Sequence, residues 1–158
     1  MRQRFQPRVT VAAVIERDGR FLLVEEETSA GLCLNNPAGH LDPGEAPAEG
    51  CARETLEETA HHFKPTHLVG VYLSRNERPN GEDTTYIRFA YCGELGEFEP
   101  ERPLDTGIVR ALWLTEAEIR ATMARHRSPL LLRCLDDYLA GKRYPLDIVY
   151  TDAGVYRA

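Results

Sequence analysis

Two short apolar runs open the chain. Residues 8–15, Arg-Val-Thr-Val-Ala-Ala-Val-Ile, are β-branched and almost continuously apolar, the pattern of a strand covered on both faces. Asp18-Gly19 follows as a turn, and Phe21-Leu22-Leu23-Val24 pairs back as a second strand. Residues 16–20 are thus expected to form a hairpin loop, with the acidic run Glu25-Glu26-Glu27 as the exit of the hairpin. Three more strands are predicted near 67–73, 84–92 and 108–114, the middle one rich in Tyr, Ile and Phe.

Between these runs the periodicity changes. Residues 35–47 are dense in Asn, Pro, Gly and Asp and read as a loop, and residues 47–62 read as a helix with Pro47 in its first turn. At about 100° per residue, Ala48, Ala52, Leu56, Thr59 and Phe63 share one stripe fit to pack on a sheet. Glu54, Glu57 and Glu58 then fall on the opposite side and face outward. Thr115-Glu116-Ala117-Glu118 is a capping box opening a short helix. Ser128-Pro129 opens another helix, which runs to about residue 140 and stops at Gly141. Strands interleaved with helices predict an α/β (α+β) sandwich in one domain over residues 1–158.

Composition narrows the possible partners. The 158 residues can bury a core without disulfides, and the net charge of -6 lacks the basic footprint of duplex nucleic-acid binding. Cys33, Cys51, Cys92 and Cys134 form no C-x-x-C pair, so zinc-ribbon and redox readings fall away. No window of 18 apolar residues exists, and Met1-Arg2-Gln3-Arg4-Phe5-Gln6-Pro7 lacks the apolar stretch of a signal peptide. The expectation is a cytoplasmic, thiol-reduced protein off the membrane, acting as a monomer or homodimer on a small molecule.

The chemistry concentrates in the first helix. Glu54, Glu57 and Glu58 stand at i, i+3 and i+4, where like charges repel. A cation bound between them would reverse the sign of that interaction. Carboxylates without Cys or spaced His select a hard, oxygen-seeking ion such as Mg²⁺ or Mn²⁺, which suits phosphate chemistry. Taken alone, the triplet reads first as an ordinary solvated helix face, since charge runs are usually solvated.

Read outward, residues 39–61 resemble the Nudix box, G-x5-E-x7-R-E-U-x-E-E-x-G-U with U aliphatic. Gly39, Glu45, Arg53, Glu54, Glu57 and Glu58 stand at its fixed positions. Six such matches arise by chance on the order of 10⁻⁷ times per start position at ordinary residue frequencies. Ala60 replaces the closing glycine, and Thr55 and His61 take aliphatic positions. Without that glycine the helix is expected to run on through His61 and His62.

The resemblance implies the Nudix α/β/α sandwich with a mixed sheet. It implies divalent ions, Mg²⁺ with Mn²⁺ as the other option, on Glu54, Glu57, Glu58 and the Gly39 carbonyl. Glu45 would support that shell, and Arg53 would orient a carboxylate. Ions of this kind neutralise a diphosphate and acidify a bound water for in-line attack. Flanking segments, among them Asn36-Pro37-Ala38-Gly39-His40-Leu41 and Gly141-Lys142-Arg143-Tyr144-Pro145-Leu146, look like a phosphatase member of the family. That likeness implies release of orthophosphate from nucleoside tri- and diphosphates and from pyrimidine pyrophosphates such as those of thiamine or hydroxymethylpyrimidine. The alternatives are a Nudix pyrophosphatase of ADP-ribose or nucleotide sugars, and a non-catalytic nucleotide-sensing module.

Outside the box, Asp105 is the candidate base, with Glu101 second and a plain turn residue as the bland reading. His40, beside Gly39, is either a phosphate donor or structural. Leu34 stands where the phosphatase-like relative carries Trp, so an aromatic stacking surface is expected to be missing there. Tyr144 lines the substrate pocket or docks the tail on the sheet. Arg75, Arg78 and Arg88 could engage phosphates but are expected on the solvated surface, and His61-His62 holds no metal because adjacent rings leave a helix on different faces.

Overall fold

Alternation along the first strand decides the layering. Val11, Ala13 and Ile15 enter one apolar cluster with Leu22, Cys51, Phe63, Leu68 and Tyr91. Ala12 and Val14 enter another with Phe21, Leu23, Leu34, Ile119, Leu131 and Leu135. Successive strand residues point to opposite faces, so a strand buried at every position has a layer on each side. These placements come from a computed structural model that describes residues 1–157.

In chain order the elements are β1 (Arg8–Ala13), β2 (Glu16–Arg17), β3 (Arg20–Thr28), β4 (Gly31–Asn35), β5 (Ala38–His40), α1 (Pro47–Thr59), β6 (His61–Asn76) and β7 (Thr84–Phe98). There follow β8 (Ile108–Thr115), α2 (Glu116–Arg120), α3 (Leu130–Leu139) and β9 (Tyr144–Pro145). One sheet runs β5-β1-β7-β6-β9, with β1 parallel to β7 and its other pairs antiparallel. In the second, β3 pairs with β2, β4 and β8. α1 covers one face through Cys51, while α2 and α3 cover the other through Ile119, Leu131, Cys134 and Leu135. This is the mixed α+β architecture the pattern predicts.

The strands reach further than the apolar runs. β3 carries the acidic run inside the sheet because arginines neutralise it. Arg110 Nε and Arg125 Nη2 bind Glu25 at 3.3 and 2.5 Å, and Arg127 Nη1 binds Glu26 at 3.0 Å. Arg125 is the foremost partner holding the Glu25 carboxyl below its usual range, against the opposing effect of burial. The expected loop over residues 35–47 contains β5, a short strand fixed by pairing Gly39 opposite Val11. The segment before it is β4.

α1 differs from expectation in its end and its face. It stops at Thr59 with Ala60 left-handed at φ 59°, and β6 begins at His61, so it does not continue through His61 and His62. A β-carbon in that conformation costs about 1–2 kcal/mol. The turn is held by Ala60 N–H donating to Leu56 O at 3.0 Å and His61 N–H donating to Thr59 Oγ1 at 3.2 Å. The buried stripe is Gly50, Cys51, Glu54, Thr55, Glu58 and Thr59, whereas Ala52 and Leu56 are only half-buried. Thr55 and Thr59 can lie inward because their hydroxyls donate to the carbonyls of Cys51 and Thr55 at 2.8 and 2.7 Å. Two of the three acids therefore face the protein instead of solvent.

Candidate active site

Arg53 organises the acids. Its Nε donates to Glu45 Oε2 at 2.9 Å and its Nη2 to Glu45 Oε1 at 2.8 Å, a two-pronged grip suited to a planar guanidinium. Nη1 donates to Glu54 Oε1 at 3.0 Å and Glu57 Oε2 at 3.1 Å, and Nη2 also reaches the His40 carbonyl at 3.0 Å. The Asp42 N–H donates to Glu45 Oε1 at 2.8 Å. Glu45 therefore spends both oxygens on Arg53 and the loop, and it buttresses the site without pointing a free oxygen into it. Hydrogen bonding to Arg53 comes first among the causes that hold its carboxyl below the usual range.

Glu54 and Glu58 are the buried pair: Glu54 shares Arg53 with Glu45 and Glu57, and Glu58 has no such partner among the described residues. They are 8% and 6% exposed. Glu58 Oε1 accepts the Ala38 N–H at 2.8 Å, and no cation pairs with it among the described residues. Burial, joined by the charges of Glu54, Glu26 and Asp105, pushes its carboxyl up to about 8. Burial likewise raises Glu54 despite Arg53. Glu57 is more open, with its side chain 35% exposed. Gly39 completes the group, since a β-carbon there would coincide with the Glu54 carboxyl. Only glycine lets strand and acid share that space.

This donor set is all oxygen and carries excess negative charge, which fits a hard divalent ion. Among the described residues, no three His, Cys, Asp or Glu side chains already converge as a closed ligand cage. Arg53 occupies part of the space between Glu54 and Glu57. Asp105 lies in the β7–β8 loop, where its N–H donates to Glu57 O at 2.9 Å. It is exposed at the end of α1 and near enough to raise both buried acids by its charge.

The remaining candidates separate. His40 is exposed and lines a cavity of about 340 Å³ on the β5 side of the site, its ring 6.2 Å from that of Tyr86. Leu34 does not reach that cavity. It is 0% exposed inside the apolar core, so it neither supplies nor lacks a stacking surface there. Tyr144 is also remote, pairing with Leu68 in β9 and docking the tail on the sheet. Arg75 and Arg78 are exposed, with Arg75 at the rim of the same cavity, but Arg88 is 6% exposed and forms part of the cavity wall. Its place in the alternation of β7 was the available signal. Tyr86, two residues earlier, shares its face of the strand and lines the same cavity.

Buttressed acids beside a glycine strand, within a three-layer mixed α+β fold, define the class. A NUDIX domain family model matches residues 4–134, and the chain belongs to the Nudix family. It is a hydrolase acting on phosphorus-containing acid anhydrides. Phosphatase NudJ of Escherichia coli is 35% identical over 145 residues, covering 92% of this chain and 92% of NudJ. A solved NUDIX hydrolase from Nitrosomonas europaea is 53% identical, with a TM-score of 0.89 over 94% of this chain and 99% of that one. The MutT NUDIX hydrolase of Burkholderia pseudomallei, 21% identical over 84% of this chain and 98% of its own, shares the fold with a TM-score of 0.69.

Proposed function

We propose that the protein is a Mg²⁺-dependent phosphatase, with Mn²⁺ able to substitute, that releases orthophosphate from nucleoside tri- and diphosphates and from pyrimidine pyrophosphates. The observation that carries this reading is the pair of buried acids, Glu54 against Gly39 and Glu58 without a cation partner among the described residues, in a chain 35% identical to a named phosphatase. Glu54, Glu57, Glu58 and the Gly39 carbonyl would hold the ions. When bound, they supply charge neutralisation of the phosphates and a more acidic water.

The chain's own groups do the rest. Arg53 fixes the orientation of Glu54 and Glu57 from one side, and Glu45 fixes Arg53 in turn. The Ala38 N–H holds one oxygen of Glu58 in place, leaving the other directed by the side chain's packing. Asp105 is the proposed acceptor of the water's proton, anchored through its N–H on Glu57 O. The proposed unit is the whole chain as one domain, cytoplasmic, working as a monomer or homodimer.

The test is a substrate screen with Mg²⁺, quantifying orthophosphate, pyrophosphate and monophosphates separately, with Glu57→Gln as control. Orthophosphate from nucleotides and pyrimidine pyrophosphates, lost in Glu57→Gln and in excess EDTA, is the expected result. Two monophosphates from ADP-ribose or nucleotide sugars alone would assign the pyrophosphatase chemistry instead. Binding without product under either ion would assign the sensing module. In the same assay Asp105→Asn is expected to lower kcat by about 10²-fold or more, and near wild-type turnover removes it as the base.

A further inference from the structure

Arg88 is an arginine buried in the wrong company for a structural ion pair. Its Nη1 donates to Asn36 Oδ1 at 2.9 Å and its Nη2 to Asn35 Oδ1 at 3.1 Å. Both partners are neutral, and Arg88 forms no salt bridge among the described residues. A buried guanidinium with only neutral acceptors costs the fold stability, and such a cost at a cavity wall points to a ligand. Two asparagine carbonyls hold the fork in one plane, presenting its remaining donors in fixed directions.

The wall beside Arg88 has the opposite polarity. Asn35 Nδ2 donates to Glu26 Oε1 at 3.4 Å, so one asparagine bridges the guanidinium and a carboxylate that both line the cavity. Glu26 is oriented by its ion pair with Arg127 at 3.0 Å. Arg75 and Arg127 also line the cavity, but Arg75 is paired with Asp83 and Arg127 with Glu26, so Arg88 is the cation without an acidic partner among the described residues and Glu26 the acceptor beside it. A donor beside an acceptor matches the edge of a ring that places an acceptor nitrogen next to an exocyclic amino group. Tyr86 and His40, with rings tilted by 49° to one another, add aromatic surface to the same cavity.

We propose that this cavity reads the non-reacting end of the substrate and takes an aminopyrimidine edge, as cytosine and adenine present it. Arg88 donates to the ring acceptor, Glu26 accepts from the amino group, and Tyr86 flanks the ring. Gly39 links the two halves of the site, lying against the Glu54 carboxyl and also lining the cavity. The inference rests on the hydrolase reading for the diphosphate but not on turnover for its test.

The experiment is equilibrium binding of CMP, UMP and ribose 5-phosphate to the full chain in EDTA. Uracil lacks the amino donor and carries N–H where cytosine carries an acceptor, and ribose 5-phosphate has no ring. The wild type is expected to bind CMP at least about tenfold more tightly than UMP, because unpaired buried polar groups penalise the wrong edge. Arg88→Lys, which keeps the charge and loses the fork, should erase most of that preference, and Glu26→Gln should weaken it. Tyr86→Leu, at a half-buried position where folding is not at stake, should weaken CMP and UMP alike and leave ribose 5-phosphate unchanged. With an active enzyme, Arg88→Lys should act on KM for CDP more than on kcat. Equal binding of CMP and UMP by the wild type overturns the proposal, as does CMP binding unaltered in both Arg88→Lys and Tyr86→Leu. An inactive wild type that still prefers CMP would sink the phosphatase reading and keep this one.

Discussion

Arg53 and Gly39 show how much of the site hangs on single residues. Arg53 joins the loop, through Glu45 and the His40 carbonyl, to the helix acids Glu54 and Glu57. Gly39 acts by what it omits. Gly39→Ala would drive its new methyl into the Glu54 carboxyl, a flexible side-chain end that can swing aside without unfolding the protein. The expected outcome is a loss in kcat of about 10²-fold or more with little change in Tm, read by steady-state kinetics and thermal melts. A large fall in Tm with kcat retained in the folded fraction would contradict it. The box residues were legible because six identities at fixed spacing identify a site without any knowledge of packing. Leu34 and Arg88 were not legible, because which face of a strand meets a cavity and which meets the core is settled by layers from elsewhere in the chain. Leu34 went into the core and Arg88, read as surface, into the cavity wall.

At the scale of elements, termini and edges diverged from expectation most. The strands near 67–73, 84–92 and 108–114 exist, but β6 and β7 extend well past their apolar centres because they pair with each other along most of their length. β5 was hidden in a stretch of Asn, Pro and Gly because three residues carry no periodicity, and only the partner strand β1 defines it. The end of α1 follows the same logic. Pairing of β6 requires the chain to turn after Thr59, and Ala60 adopts the left-handed conformation to allow it. Ala60→Gly is therefore expected to stabilise the protein by about 0.5–1 kcal/mol in urea unfolding, the relief of that strain less the entropy glycine adds to the unfolded chain. A loss of stability would show that packing of the buried Ala60 methyl outweighs its backbone strain.

The whole molecule carries its acidity unevenly. Much of the charge is paired, as in the contacts of Glu25 and Glu26 with Arg110, Arg125 and Arg127, while the box acids Glu45, Glu54 and Glu57 share the single Arg53 and Glu58 stands beside them without a cation among the described residues. Its response to pH has a second source in two imidazoles, His61 buried and His126 half-buried. Burial lowers His61 and His126 against the opposing hydrogen bonds that their rings donate to the Thr59 and Ile119 carbonyls. A histidine depressed in the folded state stays neutral where the unfolded chain, near about 6.5, takes a proton. Its stabilising contribution is complete above that value and is lost as pH falls through it. Across the same range the raised carboxyls of Glu54 and Glu58 act the other way, binding protons in the folded state as pH falls and adding stability. The histidine contribution is therefore read as a difference: His61→Phe, which preserves stacking on Phe98 at a 4.6 Å ring separation, is expected to shift its urea midpoint upward relative to the parent between about pH 7 and pH 5.5.

The inward-facing acids of α1 also set a conflict between durability and use. Evolution has placed Glu58 among Glu54, Glu26 and Asp105 in a spot where a neutral side chain of the same shape would rest more easily. Glu58→Gln can keep an oxygen for the Ala38 N–H while removing the crowded charge. It is expected to melt several degrees higher than the parent and to hydrolyse almost nothing. A selection for thermal endurance alone would therefore drift toward a sturdier protein with a dead site, and variants chosen by Tm need an activity screen beside it.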